Sequence, residues 1–468
     1  MPQDPQSPSR SEQGERPLAE RLALYAHGLR YDDLDPATIE RVKVHVIDTI
    51  GCGIGALDER PVRICRELAL SAAGPATVIG TDRGTSADLA AFANGAAMRY
   101  LDFNDTYVGR ISVHPSDNIA ACLAVAEAER AGARELIAAI VIAYEVNCRL
   151  ADALDIGTRG WDPPVLCLPA VALAAGRLMR LDPQQLTHAV SLALNDHIPM
   201  GQTRVGALSD WKGIAVAEAG RNAVFAAMLA RAGLTGPAPV FEGRSGFFRQ
   251  VSGPADIDVA GFGRPGMQFR IHQCSLKAYP AVIYTQTAIV AAIEVAREAG
   301  SLDRIAAIEI ATTQRGYERT GSEPEKWSPT TRETADHSLP YITARAMFDG
   351  DVSNESFAPQ RFRDPGVLAF MQKIKVSEDP ALTARGGGAV PTRITATLSD
   401  GQRIVREVDH APGFAARPMT RADVNRKFHG NVGRRWPQAH ADAVLQSLWT
   451  LDTAQSWPSV LRQLASSK

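Results

Sequence analysis

The chain is 468 residues long, 45% hydrophobic and 22% charged, with a formal net charge of −2. That length exceeds one ordinary core and predicts two domains. The near-neutral balance excludes the basic footprint of a nucleic-acid binder and the polybasic segments of a membrane-surface protein. No apolar stretch is long and uncharged enough to span a bilayer.

In chain order, residues 1–16 are polar and rich in Pro, Ser and Gln, which predicts a disordered segment. They contain no apolar signal core, and Asp4, Glu12 and Glu15 argue against a transit peptide. From 17 to 268 the pattern is helix after helix. Asp35-Pro36 is a cap followed by a first-turn proline, opening an amphipathic run through Ile39, Val42, Val46, Ile47 and Ile50. Ser116 or Asp117 is placed to cap a helix through Ile119, Leu123 and Ala126 that closes near Gly132. The runs 135–154, 168–180 and 212–232 are also helical in pattern, and Asp182-Pro183 repeats the cap–proline device before Leu186, Ala189, Val190 and Leu194.

The texture changes over 269–412. Phe269-Arg270-Ile271 has strand character, a helix follows Pro280, and Ile305 to Ile310 reads as a strand. Thr392 to Leu398 and Gln402 to Val408 alternate around Asp400-Gly401, a hairpin turn signal. Helix returns over 413–468, through Ala441, Val444 and Leu448. The expected fold class is mainly α: a large all-helical domain with an inserted smaller α+β domain, the C-terminal helices returning to the first.

The six cysteines, Cys52, Cys65, Cys122, Cys148, Cys167 and Cys274, form no C-x-x-C pair and no zinc or iron–sulfur spacing. They read as small buried hydrophobes in a reducing, cytoplasmic compartment. No metal and no cofactor are expected, and the glycines around Phe241-Glu242-Gly243 do not make a phosphate loop.

Two readings stand for each polar cluster. Tyr100-Leu101-Asp102-Phe103-Asn104-Asp105-Thr106 ends an alanine-rich run, where such residues cap helices and build turns. They also gather two carboxylates and a hydroxyl near His114, as proton chemistry needs. Pro115 biases His114 away from helical geometry, freeing it to face a cleft or simply to serve a turn. The chain has only eight lysines, and Lys212 and Lys277 lie in apolar or small-residue surroundings. Snorkelling explains most such lysines; a cleft with one lysine from each wall would instead bind carboxylates, with Arg204 as a bidentate clamp. Asp336-His337-Ser338 opens a helix and caps it, or stands behind the site.

These blocks come in a recognisable order. Tyr100 to Thr106, His114-Pro115-Ser116-Asp117, Asp210-Trp211-Lys212, Leu234-Thr235-Gly236-Pro237 with Phe241-Glu242-Gly243, Lys277-Ala278-Tyr279-Pro280 and Ala335 to Tyr341 together resemble the MmgE/PrpD family. The resemblance runs from about Leu18 to the C-terminal region. It implies a lyase that eliminates water from a hydroxy tricarboxylate, such as 2-methylcitrate or citrate, in a homodimer acting on a small polycarboxylate. It also implies catalytic roles for Asp102, His114, Lys212 and Lys277, and substrate contacts from Asp105, Thr106, Arg204, Tyr279 and His337. The family's alternatives are a cis-aconitate-type decarboxylase and an epimerase or isomerase of a polycarboxylate. Decarboxylase-type members carry histidines where this chain has Asp162 and Val282, which leaves dehydration the better reading.

Overall fold

The computed structural model describes residues 16–263, 267–386, 388–454 and 457–465. The disordered segment expected over 1–16 lies, except for Arg16, outside the described residues.

The chain is mainly α-helical. α1 (Leu18–Gly28), α2 (Pro36–Gly55), α3 (Arg60–Ala69), α4 (Ala87–Tyr100), α5 (Ile119–Ala128), α6 (Ala133–Ala153), α7 (Cys167–Leu178), α8 (Pro183–Asn195) and α9 (Ala215–Arg231) pack around one apolar core. Asp35 and Asp182 cap α2 and α8 as expected, each accepting a backbone N–H three residues on, with proline at the first helical position. Small residues let the central helices approach closely. A Cβ on Gly95 of α4 would meet Ala217 of α9 at 3.2 Å.

Three local expectations are corrected. Neither Ser116 nor Asp117 caps α5: both are drawn into buried bonds with Asn104 and Asp105, and a single 3-10 turn, Pro115–Asn118, leads into the helix. That helix ends at Ala128, and Gly132 instead precedes α6, where its N–H meets Glu135. Phe269-Arg270-Ile271 is not a strand. The Arg270 N–H donates to Glu145 on α6 at 2.7 Å, and Arg270–Gln273 close into a 3-10 turn with no partner strand beside it among the described residues.

Two-residue ribbons β1 (Ala76–Thr77) with β2 (Gly84–Thr85), and β3 (Tyr107–Val108) with β4 (Ser112–Val113), decorate the helical part. A second apolar core forms over a four-stranded sheet of β5 (Ile305–Thr312), β6 (Ile374–Glu378), β7 (Thr392–Leu398) and β8 (Arg403–Val408), in the order β6-β5-β7-β8. β5 runs parallel to β6 and antiparallel to β7, which pairs antiparallel with β8 through a loop closed by Gly401 at φ +87°. Ile308 and Ile310 of β5 and Ile394, Ala396 and Leu398 of β7 bury one face under α10 (Gln286–Ala299) and the helix Leu339–Asp349.

The helices Arg421–Val432 and Gln438–Trp449 then rejoin the first core against α2. Lys427 is the polar tie of that return. Its Nζ lies 2.6 Å from Asp48 of α2, donates to the Phe103 carbonyl at 2.8 Å, and stands 4.0 Å from the Phe103 ring centroid. The C-terminal helices thus brace the loop that carries Asp102. Lys427→Ala leaves Asp48 buried and unpaired, so it is expected to cost about 3–5 kcal/mol in urea unfolding. A loss below about 1 kcal/mol would show that the tie carries no weight.

Candidate active site

α4 ends at Tyr100, and Asp102 turns the chain in the left-handed region at φ +51°. Aspartate tolerates that conformation better than most side chains, and strained residues of this kind cluster at functional sites. The following residues are clamped. Asp105 Oδ2 accepts from the Tyr144 hydroxyl at 2.8 Å and lies 2.9 Å from His45 Nδ1, and its Oδ1 accepts the Ser116 N–H. Thr106 exchanges both backbone hydrogen bonds with Ser275, each 2.8 Å long. That short bridge sets Lys277, two residues further on, directly over Asp102.

Three cations converge there. Arg99 NH1 is 2.6 Å and Lys277 Nζ 2.7 Å from Asp102 Oδ1, and Lys277 also donates to the Asp102 carbonyl at 2.8 Å. Lys212 Nζ is 3.3 Å from Oδ2, and donates to both oxygens of Asp336 at 3.0 and 3.1 Å. Lys212 sits in the 3-10 turn Asp210–Gly213 just ahead of α9, where Gly213 lets the turn press on the Tyr100 ring. Burial by itself would raise the Asp102 carboxyl, but Arg99, Lys212 and Lys277 overcome it and hold Asp102 well below the usual carboxylate range. Burial, with Arg99 also repelling, lowers Lys277 to about 8 despite the attraction of Asp102.

The imidazoles of His114 and His337 border this cluster. β3 and β4 fold the chain back so that His114 Nδ1 lies 2.6 Å from the Asp105 carbonyl and 3.1 Å from the Thr106 hydroxyl, with Nε2 3.9 Å from Asp102 Oδ1. His337 Nδ1 lies 2.6 Å from Asp336, with Nε2 3.8 Å from Asp102 Oδ2. The side chains of His114 and His337 are 19% and 13% exposed, against 3% or less for Arg99, Asp102, Lys212, Lys277 and Asp336. The ionic cluster is therefore a buried floor, and the imidazoles are its reachable edge. Burial, then Arg99 and Lys277, press the His114 pKa well below its ordinary value; burial, then Lys212, bring His337 to about 4.

Of the remaining expected residues, Arg204, Asp105 and Thr106 adjoin this centre, whereas Tyr279 is not among its partners. Arg204 forks onto Asp162 at 2.9 and 3.3 Å and donates to the Lys212 carbonyl at 2.9 Å, so it holds the lysine's turn in place. Asp105 and Thr106 support His114 from behind. Tyr279 packs its ring against the second core, while its amide donates to Gln286. Sequence reasoning missed Arg99, whose signal was only an arginine close before an aspartate where an alanine-rich helix gives way to a turn. It also read Asp336 as part of a helix cap or as standing behind the site, not as a member of it. Ser338 is the cap, accepting the Tyr341 N–H, and Asp336 joins the ionic cluster.

Asp102, Asp336 and His337 are the one group among the described residues whose spacing suits a metal ion. Lys212 donates to both carboxylates, so a fixed ammonium already supplies the positive charge a metal would bring there.

The depressed His337 has a stability consequence. An unfolded histidine takes up its proton near 6.5, the folded one only near 4. Between those values the unfolded chain binds more protons, so this contribution is complete above 6.5 and is lost as pH falls toward 4. Urea midpoints are expected to drop across that window, and His337→Asn should flatten the drop. An unchanged slope would show that His337 titrates normally.

Comparisons with known proteins find relatives along most of the chain. The sequence model of the MmgE/PrpD N-terminal domain matches residues 20–260, and that of the C-terminal domain matches 279–451. A 2-methylcitrate dehydratase of Cupriavidus necator is 29% identical, over 91% of this chain and 92% of the relative. One of Salmonella typhimurium is 27% identical, over 89% and 90%. A cis-aconitate decarboxylase of Mus musculus is 24% identical, over 89% and 87%. With both domain models matched in order along most of its length, the chain belongs to the MmgE/PrpD family.

Proposed function

We propose that the protein is a hydro-lyase that eliminates water from a hydroxy tricarboxylate, 2-methylcitrate or citrate being the first candidates, by metal-independent acid/base catalysis. The observation that carries this reading is the Asp102 centre. Three buried cations meet two carboxylates there, and two uncharged imidazoles face outward over them. The converging cations suit a substrate bearing several carboxylates, and the neutral imidazoles suit removal of a weakly acidic proton α to one of them. His114 moves that proton, and Asp102, which stays ionised, stabilises the imidazolium that forms. Lys212 and Lys277 keep the floor positive as charge spreads into the substrate carboxylate. Thr106 and Arg204 hold the backbone and turn that present these groups.

Dehydration is favoured over decarboxylation at Asp162. The resemblance gives decarboxylase-type members a histidine at that position, whereas here the carboxylate is fully buried and committed to Arg204. The residues 269–412 act in this reading as an inserted α+β domain, whose Lys277 and Asp336 close the site against the helical part. No helix among the described residues is long and apolar enough to cross a membrane, and we read the working unit as a cytoplasmic homodimer, a mass that light scattering at micromolar concentration measures directly.

The defining experiment incubates the purified protein with 2-methylcitrate, citrate, isocitrate and cis-aconitate and identifies products by NMR. Alkene formation from a hydroxy acid is expected, and it should survive exhaustive chelation. Carbon dioxide release or stereochemical inversion instead would replace this reading, and activity restored only by added metal would remove metal independence. His114→Asn is expected to lower kcat by about a hundredfold or more with a modest change in KM. Full activity in that variant would make His114 a loop residue.

A further inference from the structure

We propose that His337, oriented by Asp336, is the second proton-transfer group of this site, and that His337 and His114 act as general acid and general base over the two oxygens of Asp102. The inference rests on the elimination reading above and assigns its missing acid.

Elimination of water needs two proton transfers at different atoms. A base takes the α-proton, the C–H pair becomes the new π bond, the C–O bond breaks, and a protonated acid gives its proton to the departing hydroxide, which leaves as water. Asp102 is a poor candidate for either transfer. It is 1% exposed, and Arg99, Lys212 and Lys277 all bond to it, so its lone pairs are engaged and its conjugate acid is strongly disfavoured. The lysines are fully buried and bonded to carboxylates. Among the groups at this centre, the two imidazoles alone combine partial exposure with an unengaged nitrogen.

Their tautomers follow from their partners. His114 Nδ1 faces the Asp105 carbonyl and His337 Nδ1 faces the Asp336 carboxylate, acceptors both, so each Nδ1 carries the proton. Each Nε2 is left with its lone pair free, and neither has a hydrogen bond among the described residues. They approach opposite oxygens of one carboxylate, at 3.9 Å from Oδ1 and 3.8 Å from Oδ2. A hydroxy tricarboxylate lying across that carboxylate presents its C–H to one imidazole and its hydroxyl to the other.

The surroundings divide the roles. His114 is backed by a carbonyl and lies near Arg99 and Lys277, cations that favour its neutral form and suit it to be the base. His337 is backed by a carboxylate, which stabilises its imidazolium as Asp stabilises His in hydrolytic triads, and suits it to hold the proton it will donate. The burial and Lys212 that lower its pKa are opposed once a polyanionic substrate binds. After turnover the base holds a proton and the acid lacks one, and exchange with solvent at these partly open edges resets both.

The test compares wild type, His337→Gln, Asp336→Asn and His337→Gly. In a preparation that forms alkene, His337→Gln is expected to lower kcat about a hundredfold or more with KM changed less than about threefold, and to abolish the high-pH limb of kcat. Asp336→Asn should lower kcat less and shift that limb, and added imidazole should restore part of the activity of His337→Gly. Near-full activity in His337→Gln, or a loss confined to KM, would overturn the assignment. Histidine-selective 15N NMR of the full chain, with citrate as probe, reads the same proposal without turnover. His337 is expected as the Nδ1–H tautomer, gaining its second proton as citrate binds. The Nε2–H tautomer, or His337 signals unmoved by citrate, would overturn the assignment, whereas absence of product from wild type with these shifts present would count only against the hydro-lyase reading.

Discussion

An ionised carboxylate removed from water costs several kcal/mol unless charge and hydrogen bonds replace its hydration. Asp102 meets that demand with Arg99 from the end of α4, Lys212 from the turn before α9 and Lys277 from beyond the Ser275 bridge. Each partner comes from a different part of the chain, and Asp102 would be an uncompensated buried charge without them. The cluster therefore fixes the relative positions of three segments. Displacing any of them by an ångström or two strands a charge in a low-dielectric interior.

Much of the surrounding structure serves that placement. Tyr144 and His45 hold Asp105, the Thr106–Ser275 bridge aligns two loops, and Arg204 with Asp162 anchors the backbone of Lys212. Lys427 reaches from the C-terminal helices to the Phe103 carbonyl, so the return of the chain to α2 also steadies Asp102. Asp117, raised to about 7 by burial in spite of Arg99, accepts from Asn104 beside this network. Rigid support behind a site keeps its reacting groups in register, which matters most where two protons move at separate atoms.

The two lysines show how a correct residue can serve a different contact from the one its sequence suggests. Both stand out in apolar surroundings, which points to a charge with a purpose. Their first partners, however, are the protein's own carboxylates. A cation in the interior is drawn to the nearest fixed anion, and a substrate then meets the net charge of the floor, not a free ammonium. His337 is the reverse case. It looks ordinary in sequence, beside a helix cap, yet with His114 it forms the exposed edge of the cluster.

Most helix spans, the two Asp-Pro caps and the β7–β8 hairpin were legible in the sequence, because hydrophobic period, Asp-Pro starts and Asp-Gly turns act over a few residues. So were Asp102, His114, Lys212 and Lys277 as notable residues, since polar groups in apolar or turn settings stand out locally. Phe269-Arg270-Ile271 was misread as a strand because a bond to Glu145, 125 positions away, decided its conformation. Arg99 and Asp336 became part of the site only through partners on other elements. Local pattern fixes which segments are helix and which residues need company. Which charge meets which is set by long-range packing, because the electrostatic cost of a buried group depends on everything folded around it.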